Sequence, residues 1–262
     1  MSRYVLRFFA LGYLALLLLV PVGFVFYRAF EHGLGTAWDA VTTQQALHAL
    51  ELTLLIAAIA VPANTVFGIV LALALVRGRF KGRGLLNAVV DLPLALSPIV
   101  VGLSLFLLYG RGGWLGGLAD HGIKILFAVP GMILATMFVS LPFVVREVVP
   151  VLREIGTEQE QAAETLGARP FQVFRRITLP AIRSAVAYGV VLTTARAIGE
   201  FGAVSVVSGK IQGKTETLPL YVADQFESFD VSGAYAASVV LALIAVATVV
   251  GLRVFQPKEE VR

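Results

Sequence analysis

The chain has 262 residues, of which 58% are hydrophobic and only 15% are charged, and its formal net charge is +4. A soluble domain carries about a quarter charged residues, so much of this apolar surface must face lipid rather than water. The chain has no cysteine, which excludes disulfides, thiolate metal ligands and thiol nucleophiles. Basic residues cluster between apolar stretches rather than along one face, so the positive charge does not indicate a nucleic-acid partner.

Six apolar stretches are long enough to cross a hydrocarbon layer, which takes about 20 residues per helix. They cover residues 8–27, 50–76, 85–109, 125–145, 185–207 and 234–255. The first begins with Arg3 and Arg7, but no small-residue cleavage site follows Tyr27, so we expect an uncleaved helix rather than a signal peptide. The expected fold is all-α: a polytopic membrane protein with six transmembrane helices, in which residues 1–262 form a single domain.

Lysine and arginine are distributed unequally among the connections between these stretches. One alternate set of connections carries 15 of the 21 basic residues, the other set carries five, and Arg196 lies within a stretch. Because cytoplasmic connections are enriched in Lys and Arg, we expect both termini in the cytoplasm. The expected external connections are residues 31–49, 110–124 and about 208–233.

Five prolines lie within the apolar stretches: Pro62, Pro93, Pro98, Pro130 and Pro142. Any one of them is explained by a helix kink. Pro93 and Pro98 bracket Ser97 more densely than packing requires. This spacing predicts an irregular segment, of the kind that membranes tolerate where the backbone lines a cavity.

The connection between the fourth and fifth stretches, about residues 147–182, is far longer than a packing turn of about 2–8 residues. Thr157 and Glu160 predict a helix that starts with a capping box. Gly167 is placed to end that helix in the left-handed conformation, and Pro170 suits the first turn of the next helix. The connection is therefore predicted to be two helices joined at a sharp corner.

The corner, residues 166–171, presents apolar side chains at its tip. Such an elbow is suited to the groove of another protein. An amphipathic helix pair that lies on the bilayer surface has the same pattern, so the residues alone leave both interpretations open.

A motif within the elbow resembles a known signature. Gln161-Ala162-Ala163 is followed after three residues by Gly167, and after nine more by Ile177, one residue, and Leu179-Pro180. This is similar to the signature loop of bacterial ABC importer permeases, in which Glu-Ala-Ala precedes Gly and Ile-x-Leu-Pro at that spacing. One position departs, because Gln161 stands where the family usually has Glu. Glu160 and Glu164 are the candidates to replace that charge.

The resemblance implies a MetI-like permease fold whose elbow docks into a cleft of a separate ATPase subunit. The chain would then be a transporter subunit and no enzyme, with ATP and Mg²⁺ held by the partner and no cofactor or metal of its own. Gly213-Lys214-Thr215 does not form a phosphate-binding loop, because position 208 is Ser where a first glycine is required. The implied ATPase-coupling residues are Gln161, Ala162, Ala163, Glu164, Leu166, Gly167, Ala168, Arg169, Pro170, Phe171, Ile177, Leu179 and Pro180.

Arg196 and Glu200 are ionisable residues within the fifth stretch. Charges are costly in lipid, so these side chains must face the bundle interior or water. Their spacing of four residues places them on one helical face, where they can pair. The pair either locks two helices together or contributes to a polar pathway, and both readings remain open. Gly199 and Gly202 would allow a close approach of helices.

The segment from Arg196 to Gly202 resembles permeases of sulfate, thiosulfate, molybdate and tungstate importers. Residues 206–220 and 91–102 are more specifically similar to the CysW-type permeases of sulfate/thiosulfate importers. The resemblance implies ATP-driven import of a tetrahedral oxyanion across a bacterial plasma (inner) membrane. The implied partners are a CysT-type permease, two ATPase subunits and an external sulfate-binding protein. The candidate pathway residues are Arg196, Glu200, Ser97, Thr193 and Thr194.

Three alternatives stand beside this interpretation. The first is a molybdate or tungstate permease that acts as a homodimer. The second is a channel or an ion-gradient-driven secondary anion transporter, which would need Glu200, Asp91 and Glu51 as an ion relay and would leave the elbow unexplained. The third is a structural membrane scaffold. His32, His48 and His121 lack metal-ligand spacing and are interpreted as solvated loop residues.

Overall fold

The computed structural model describes residues 3–255, in which helices are joined by turns and loops and no strand occurs. Two short π-helical turns, Ala15–Leu19 and Phe174–Thr178, join neighbouring helices. The helices are α1 (Arg3–Leu14), α2 (Val20–Phe30), α3 (Leu34–Val41), α4 (Gln44–Arg77), α5 (Arg83–Ala95), α6 (Pro98–Tyr109), α7 (Val129–Glu154), α8 (Glu158–Thr165), α9 (Pro170–Val173), α10 (Leu179–Ile198), α11 (Gly202–Val207), α12 (Leu218–Glu227) and α13 (Val231–Phe255).

Five helical segments of the described residues are long and apolar enough to cross a membrane, and a sixth crossing results if α5 and α6 count as one span. The five cover Arg7–Phe30, Gln44–Arg77, Val129–Glu154, Pro170–Ile198 and Val231–Gly251. The chain is therefore a multi-pass membrane protein, and the all-α prediction is confirmed. Lys258, Arg262 and both termini lie outside the described residues, and the orientation of the chain stays a prediction.

The third predicted span is two helices rather than one. Helices α5 and α6 meet at 111°, and the backbone between them is extended at Leu96 and Ser97. The ring of Pro98 disfavours the helical conformation at Ser97, which accounts for the position of the break. The irregular segment predicted between Pro93 and Pro98 is confirmed.

The predicted bounds of the fourth and fifth spans are wrong. Helix α7 continues to Glu154, and the fifth span begins at Pro170 and ends at Ile198, with α11 as a separate helix. The apolar stretches do not mark these ends, because charged residues continue both helices beyond the apolar layer. The fifth apolar stretch also extends through residues 199–201, although helix α10 ends at Ile198. The connection between the two spans is therefore residues 155–169, and the elbow consists of this connection together with α9.

The chain forms two compact units. The first contains the described residues up to Leu52 together with Gln212–Ile244, and its core is Ala46, Ala49, Leu218, Tyr221 and Ala237. The second contains Thr53–Ile211 and the described residues from Ala245. A single domain over residues 1–262 stays a prediction.

Helix α7 lies at the centre of the second unit. A Cβ added to Gly68 of α4 would lie 2.7 Å from Val144 Cβ, and one added to Gly189 of α10 would lie 2.9 Å from Val144 Cα. The buried Asn64 amide donates hydrogen bonds of 2.9 Å to Met137 O and to Ser140 Oγ. Close packing and a buried polar contact thus fix α4 and α10 against α7, and these helices position the elbow and the helix breaks.

Candidate functional site

The corner of the elbow is closed by the backbone of the chain. Gly167 has φ +85°, its N–H donates to Glu164 O at 2.9 Å, and the N–H of Ala168 donates to Ala163 O at 3.0 Å. These two bonds form a Schellman motif, which satisfies carbonyls at the end of α8. The left-handed corner predicted at Gly167 is confirmed.

The second arm of the elbow begins as the sequence predicts. Pro170 occupies the first turn of α9, and Gln172 Oε1 accepts a hydrogen bond of 2.9 Å from the backbone N–H of Arg169. A residue before proline favours an extended backbone, and Arg169 has φ −74° and ψ 152°. The direction of the second arm is therefore set locally, by Pro170 and Gln172.

The tip of the elbow is apolar and open to the surroundings. The exposed fraction is 88% for Leu166 and 70% for Phe171. Leu166 and Phe171 therefore form an exposed apolar surface at the end of a polar helix, and a docking role for this surface stays a prediction. Of the other predicted coupling residues, Gln161, Ala162, Glu164, Gly167, Arg169, Pro170 and Pro180 are exposed, while Ala163, Ala168, Ile177 and Leu179 are half-buried.

The capping box predicted for α8 is wrong. The side chain of Thr157 makes no capping bond to the backbone of α8, and its Oγ1 instead accepts a hydrogen bond of 3.1 Å from Gln161 Nε2. Glu160 pairs with Arg77, with Nε and Oε2 2.9 Å apart, and accepts a hydrogen bond of 2.7 Å from Thr178 Oγ1. Tertiary partners have replaced the local one, so Glu160 is engaged inside the chain and Glu164 is the exposed acid near Gln161.

The Arg196–Glu200 ion pair predicted from their spacing is confirmed. Arg196 Nη1 lies 2.5 Å from Glu200 Oε2, and the side chains are 28% and 2% exposed. Glu200 lies beyond the end of α10, and its Oε1 accepts a hydrogen bond of 2.8 Å from the backbone N–H of Ala203. One carboxylate thus neutralises a guanidinium on α10 and caps the N-terminus of α11.

The break between α10 and α11 packs against the break between α5 and α6. A Cβ added to Gly202 would lie 2.8 Å from Pro98 Cβ, and one added to Gly102 would lie 2.6 Å from Ala203 O. The close approach predicted for Gly202 is therefore confirmed. That predicted for Gly199 is wrong, because a Cβ there would meet only Ala195 O, at 3.5 Å among the described residues.

The three polar residues predicted to accompany the ion pair are placed differently from one another. Ser97 is exposed at the break before α6. Thr193 is fully buried, and its hydroxyl has no hydrogen-bond partner among residues 3–255. Thr194 donates to Val190 O of its own helix at 2.7 Å. Pro98 brings Ser97 beside the break that holds Glu200, while roles in transport stay predictions for all three.

Sequence reasoning missed the ion pair between Asp91 of α5 and Arg146 of α7. Arg146 Nε donates to Asp91 Oδ1 at 2.6 Å. The two residues are 55 positions apart, so no local spacing signals the contact. Asp91 and Glu200 each have a cationic partner and Glu51 is exposed, so the three acids do not form the relay that an ion-gradient-driven transporter would need. No group of three or more acids and histidines within the described part of the chain is placed to hold a metal ion.

Comparison with known families identifies the class of protein that this fold and these breaks define. The family described as "Binding-protein-dependent transport system inner membrane component" matches residues 64–260, and the chain belongs to that family. Its members are transporter components, so the chain is a permease subunit and not an enzyme.

Within that family the chain is of the CysW type. It is 53% identical over 249 residues to the "Sulfate transport system permease protein CysW" of Synechocystis sp., covering 95% of this chain and 90% of that protein. It is 50% identical over 235 residues to the protein of that name from Escherichia coli K12, covering 89% and 81%. It is also 42% identical to "Sulfate transport system permease protein CysT" of Salmonella typhimurium, covering 92% and 90%.

A solved structure supports the fold. A chain from the crystal structure of a bacterial ABC transporter involved in the import of the acidic polysaccharide alginate superposes with a TM-score of 0.81. The two chains are 18% identical, and the match covers 96% of this chain and 93% of that one. The predicted MetI-like permease fold is confirmed by this match together with the family assignment.

Proposed function

We propose that the chain is the transmembrane permease subunit of an ATP-driven importer of sulfate or thiosulfate. The observation that carries the proposal is about half identity, over about nine tenths of the chain, to proteins named as sulfate permeases. The partly exposed Arg196 and the packed helix breaks beside it are compatible with an oxyanion substrate. A dianion that crosses a hydrocarbon layer needs compensating charge and polar groups along its path.

The ion pair predicts how tightly the permease holds its substrate. Glu200 already neutralises Arg196, so an anion that reaches the guanidinium competes with a buried carboxylate. Such a site binds weakly and releases readily. Selection between anions then falls to an external binding protein, which is the division of work that the family description implies.

Coupling to ATP hydrolysis is assigned to the elbow. Its exposed apolar tip, Leu166 and Phe171, is assigned to the cleft of an ATPase subunit because residues 161–180 resemble the signature loop of ABC importer permeases. ATP and Mg²⁺ belong to that partner, a dimer of ATPase subunits. The elbow and both chain termini lie in the cytoplasm.

The second permease is a CysT-type chain, so the membrane part is a heterodimer. The similarity to proteins named CysT supports this, because two related but distinct chains assemble around one pathway. A complex of a related transporter with a "periplasmic protein" appears among the solved structures of the same fold, which supports an external binding-protein partner. The competing arrangement is a homodimer that imports molybdate or tungstate.

The test reconstitutes the chain in nanodiscs with the ATPase, a CysT-type permease and the external binding protein, and measures ATP hydrolysis. Sulfate and thiosulfate are expected to stimulate hydrolysis, and molybdate is not. Stimulation by molybdate alone would show that the chain is a permease for molybdate or tungstate rather than for sulfate. Absence of stimulation by all three anions would overturn it, and uptake by this chain with the ATPase but without the second permease would exclude the heterodimer.

A matched pair of variants tests the ion pair. The double variant Arg196→Gln/Glu200→Gln removes both charges while it keeps the hydrogen-bonding shape, so no buried charge is left unpaired. Sulfate uptake is expected to fall about ten-fold or more, since a desolvated anion loses the guanidinium of Arg196. Arg183→Gln, at an exposed position of the same helix, is the control and is expected to transport normally. Equal uptake by the double variant and the Arg183→Gln control would show that Arg196 has no role in the transport pathway.

A further inference from the structure

A cluster of polar side chains joins the elbow to two transmembrane segments. Arg77 is the last residue of α4, and its guanidinium pairs with Glu160 of α8. The same guanidinium donates to Gly156 O, in the turn before α8. The other carboxylate oxygen of Glu160 accepts a hydrogen bond of 2.7 Å from Thr178, in the π-helical turn before α10. We call Arg77, Glu160 and Thr178 the clamp.

The clamp is shielded from solvent. The side chains of Arg77 and Glu160 are 21% and 16% exposed, and Thr178 is 3% exposed. A shielded ion pair is screened by salt and water less than a pair at the surface. Removal of one partner leaves the other charge partly desolvated, so the three groups act together.

Helix α8 has little other attachment to the rest of the chain. None of its residues is buried, so no apolar core holds it in place. Left-handed glycines flank it on both sides, with φ +63° at Gly156 and +85° at Gly167. A helix between two such corners, with no buried face, is held in its orientation chiefly by the groups that bind its side chains.

We propose that the clamp is the link through which a displacement of the elbow reaches α4 and α10, so that Arg77, Glu160 and Thr178 are positioning residues for coupling. A partner that moves the exposed tip at Leu166 rotates α8 as a rigid body. Glu160 passes that motion to the end of α4 through Arg77 and to the start of α10 through Thr178. The inference rests on the proposed function, because it takes the elbow to be the surface that the ATPase moves.

Coupling is tested in the reconstituted complex as the amount of sulfate imported per ATP hydrolysed. In Glu160→Gln this ratio is expected to fall about five-fold or more while hydrolysis continues, because α8 loses its charged link to α4. Glu158→Gln, at an exposed position in the same turn of α8, and Arg79→Gln, exposed just beyond Arg77, are the controls and are expected to keep the ratio. The exchange Arg77→Glu/Glu160→Arg is expected to restore part of the loss. A ratio in Glu160→Gln equal to that in Glu158→Gln would overturn the proposal.

If Glu160→Gln fails to insert, Thr178→Val removes one hydrogen bond at nearly constant volume and is expected to lower the ratio in the same direction by a smaller factor. An unchanged ratio in that variant would count against the clamp. Thermal stability is measured alongside, because a merely structural role would lower stability and leave the ratio of uptake to hydrolysis unaltered.

A distance measurement makes the inference independent of the substrate. The chain has no cysteine, so cysteines introduced at the exposed Gln159 and Val70 label α8 and α4 selectively. In the complex the spin-label distance is expected to stay narrow with and without ATP, and to broaden or change with ATP in Glu160→Gln. Broadening that occurs equally in Glu158→Gln would overturn the clamp. If sulfate stimulates no hydrolysis but these distances behave as expected, the proposed substrate fails and the clamp stands.

Discussion

The elbow and the packed breaks are both places where helices stop, yet they present their side chains in opposite directions. At the elbow the backbone is closed by hydrogen bonds at Gly167, and Leu166 and Phe171 project outward. At the breaks, Glu200 is buried beside the partly exposed Arg196, and Gly202 lets α11 approach Pro98 closely. An outward break is suited to contact with another chain, whereas a break that buries charge is suited to a polar path inside the bundle.

The largest effect is expected from Gly167→Pro, which disrupts the corner of the elbow. Proline cannot adopt φ +85°, and it removes the N–H that binds Glu164 O. ATP-dependent sulfate uptake is expected to fall to background while membrane insertion survives. The control is Gly167→Ala, whose left-handed strain of about 1–2 kcal/mol weakens the corner without abolishing it. Normal uptake by Gly167→Pro would contradict the docking role of the elbow.

The next effect is expected from Gly202→Ala, at the inward break. Its Cβ would lie 2.8 Å from Pro98 Cβ, so α11 must move away from α6, at a cost on the order of 1–3 kcal/mol. The unfolding temperature and sulfate uptake are both expected to decrease. Gly199→Ala is the matched control, because φ there is −88° and the space is open, and it should behave as wild type. Equal effects of the two variants would show that the breaks do not depend on close contact.

Leu166→Ser separates assembly from stability. Leu166 is 88% exposed, so its replacement is expected to leave the unfolding temperature of the chain unchanged. The affinity for the ATPase subunit should fall about ten-fold, as is common when an apolar anchor is removed from an interface. Binding is measured by titration of the ATPase onto the permease in nanodiscs, with the exposed Gln159→Ser as control. A lower unfolding temperature with an unchanged affinity for the ATPase would show that Leu166 stabilises the permease and does not contact the ATPase.

The smallest effect concerns a second buried carboxylate, which accepts a hydrogen bond from a neutral amide. Glu216 is 2% exposed, and its Oε2 accepts a hydrogen bond of 2.9 Å from Gln45 Nε2. Burial raises the pKa of Glu216, while the hydrogen bond from Gln45 opposes the change. The folded chain therefore holds a proton that the unfolded chain loses at lower pH, so this group contributes stability that decreases as pH rises from its ordinary pKa to the raised one.

Glu216→Gln keeps the acceptor for Gln45 and removes the ionisable group. The variant is expected to unfold at a higher temperature than wild type at neutral pH and to lose this part of the pH dependence. Unfolding of the purified chain is followed across the acidic to neutral range, with Glu227→Gln, at an exposed position, as the control. A wild-type stability that rises with pH through this range would contradict the sign of the shift.

Local chemistry let the sequence predict several features correctly. A left-handed corner at Gly167, a helix start at Pro170 and a pair at Arg196 and Glu200 each follow from residues a few positions apart. The break at Ser97 follows from the ring of Pro98 in the same way. Such features depend on backbone sterics and on the short separation of the residues along the chain, and both are properties of short segments.

The sequence alone determined that the chain is an all-helical membrane protein with an elbow, a break near Pro98 and a charged pair in its fifth span. Only the tertiary structure decided what those features contact. Glu160 leaves its expected capping role because Arg77 and Thr178 are brought to it from distant segments, and Asp91 meets Arg146 across 55 positions. The ends of the fourth and fifth spans also depended on packing, since helices continue beyond the apolar layer wherever neighbours support them. Contacts between distant residues have no local period, so they become visible only when the helices are packed together.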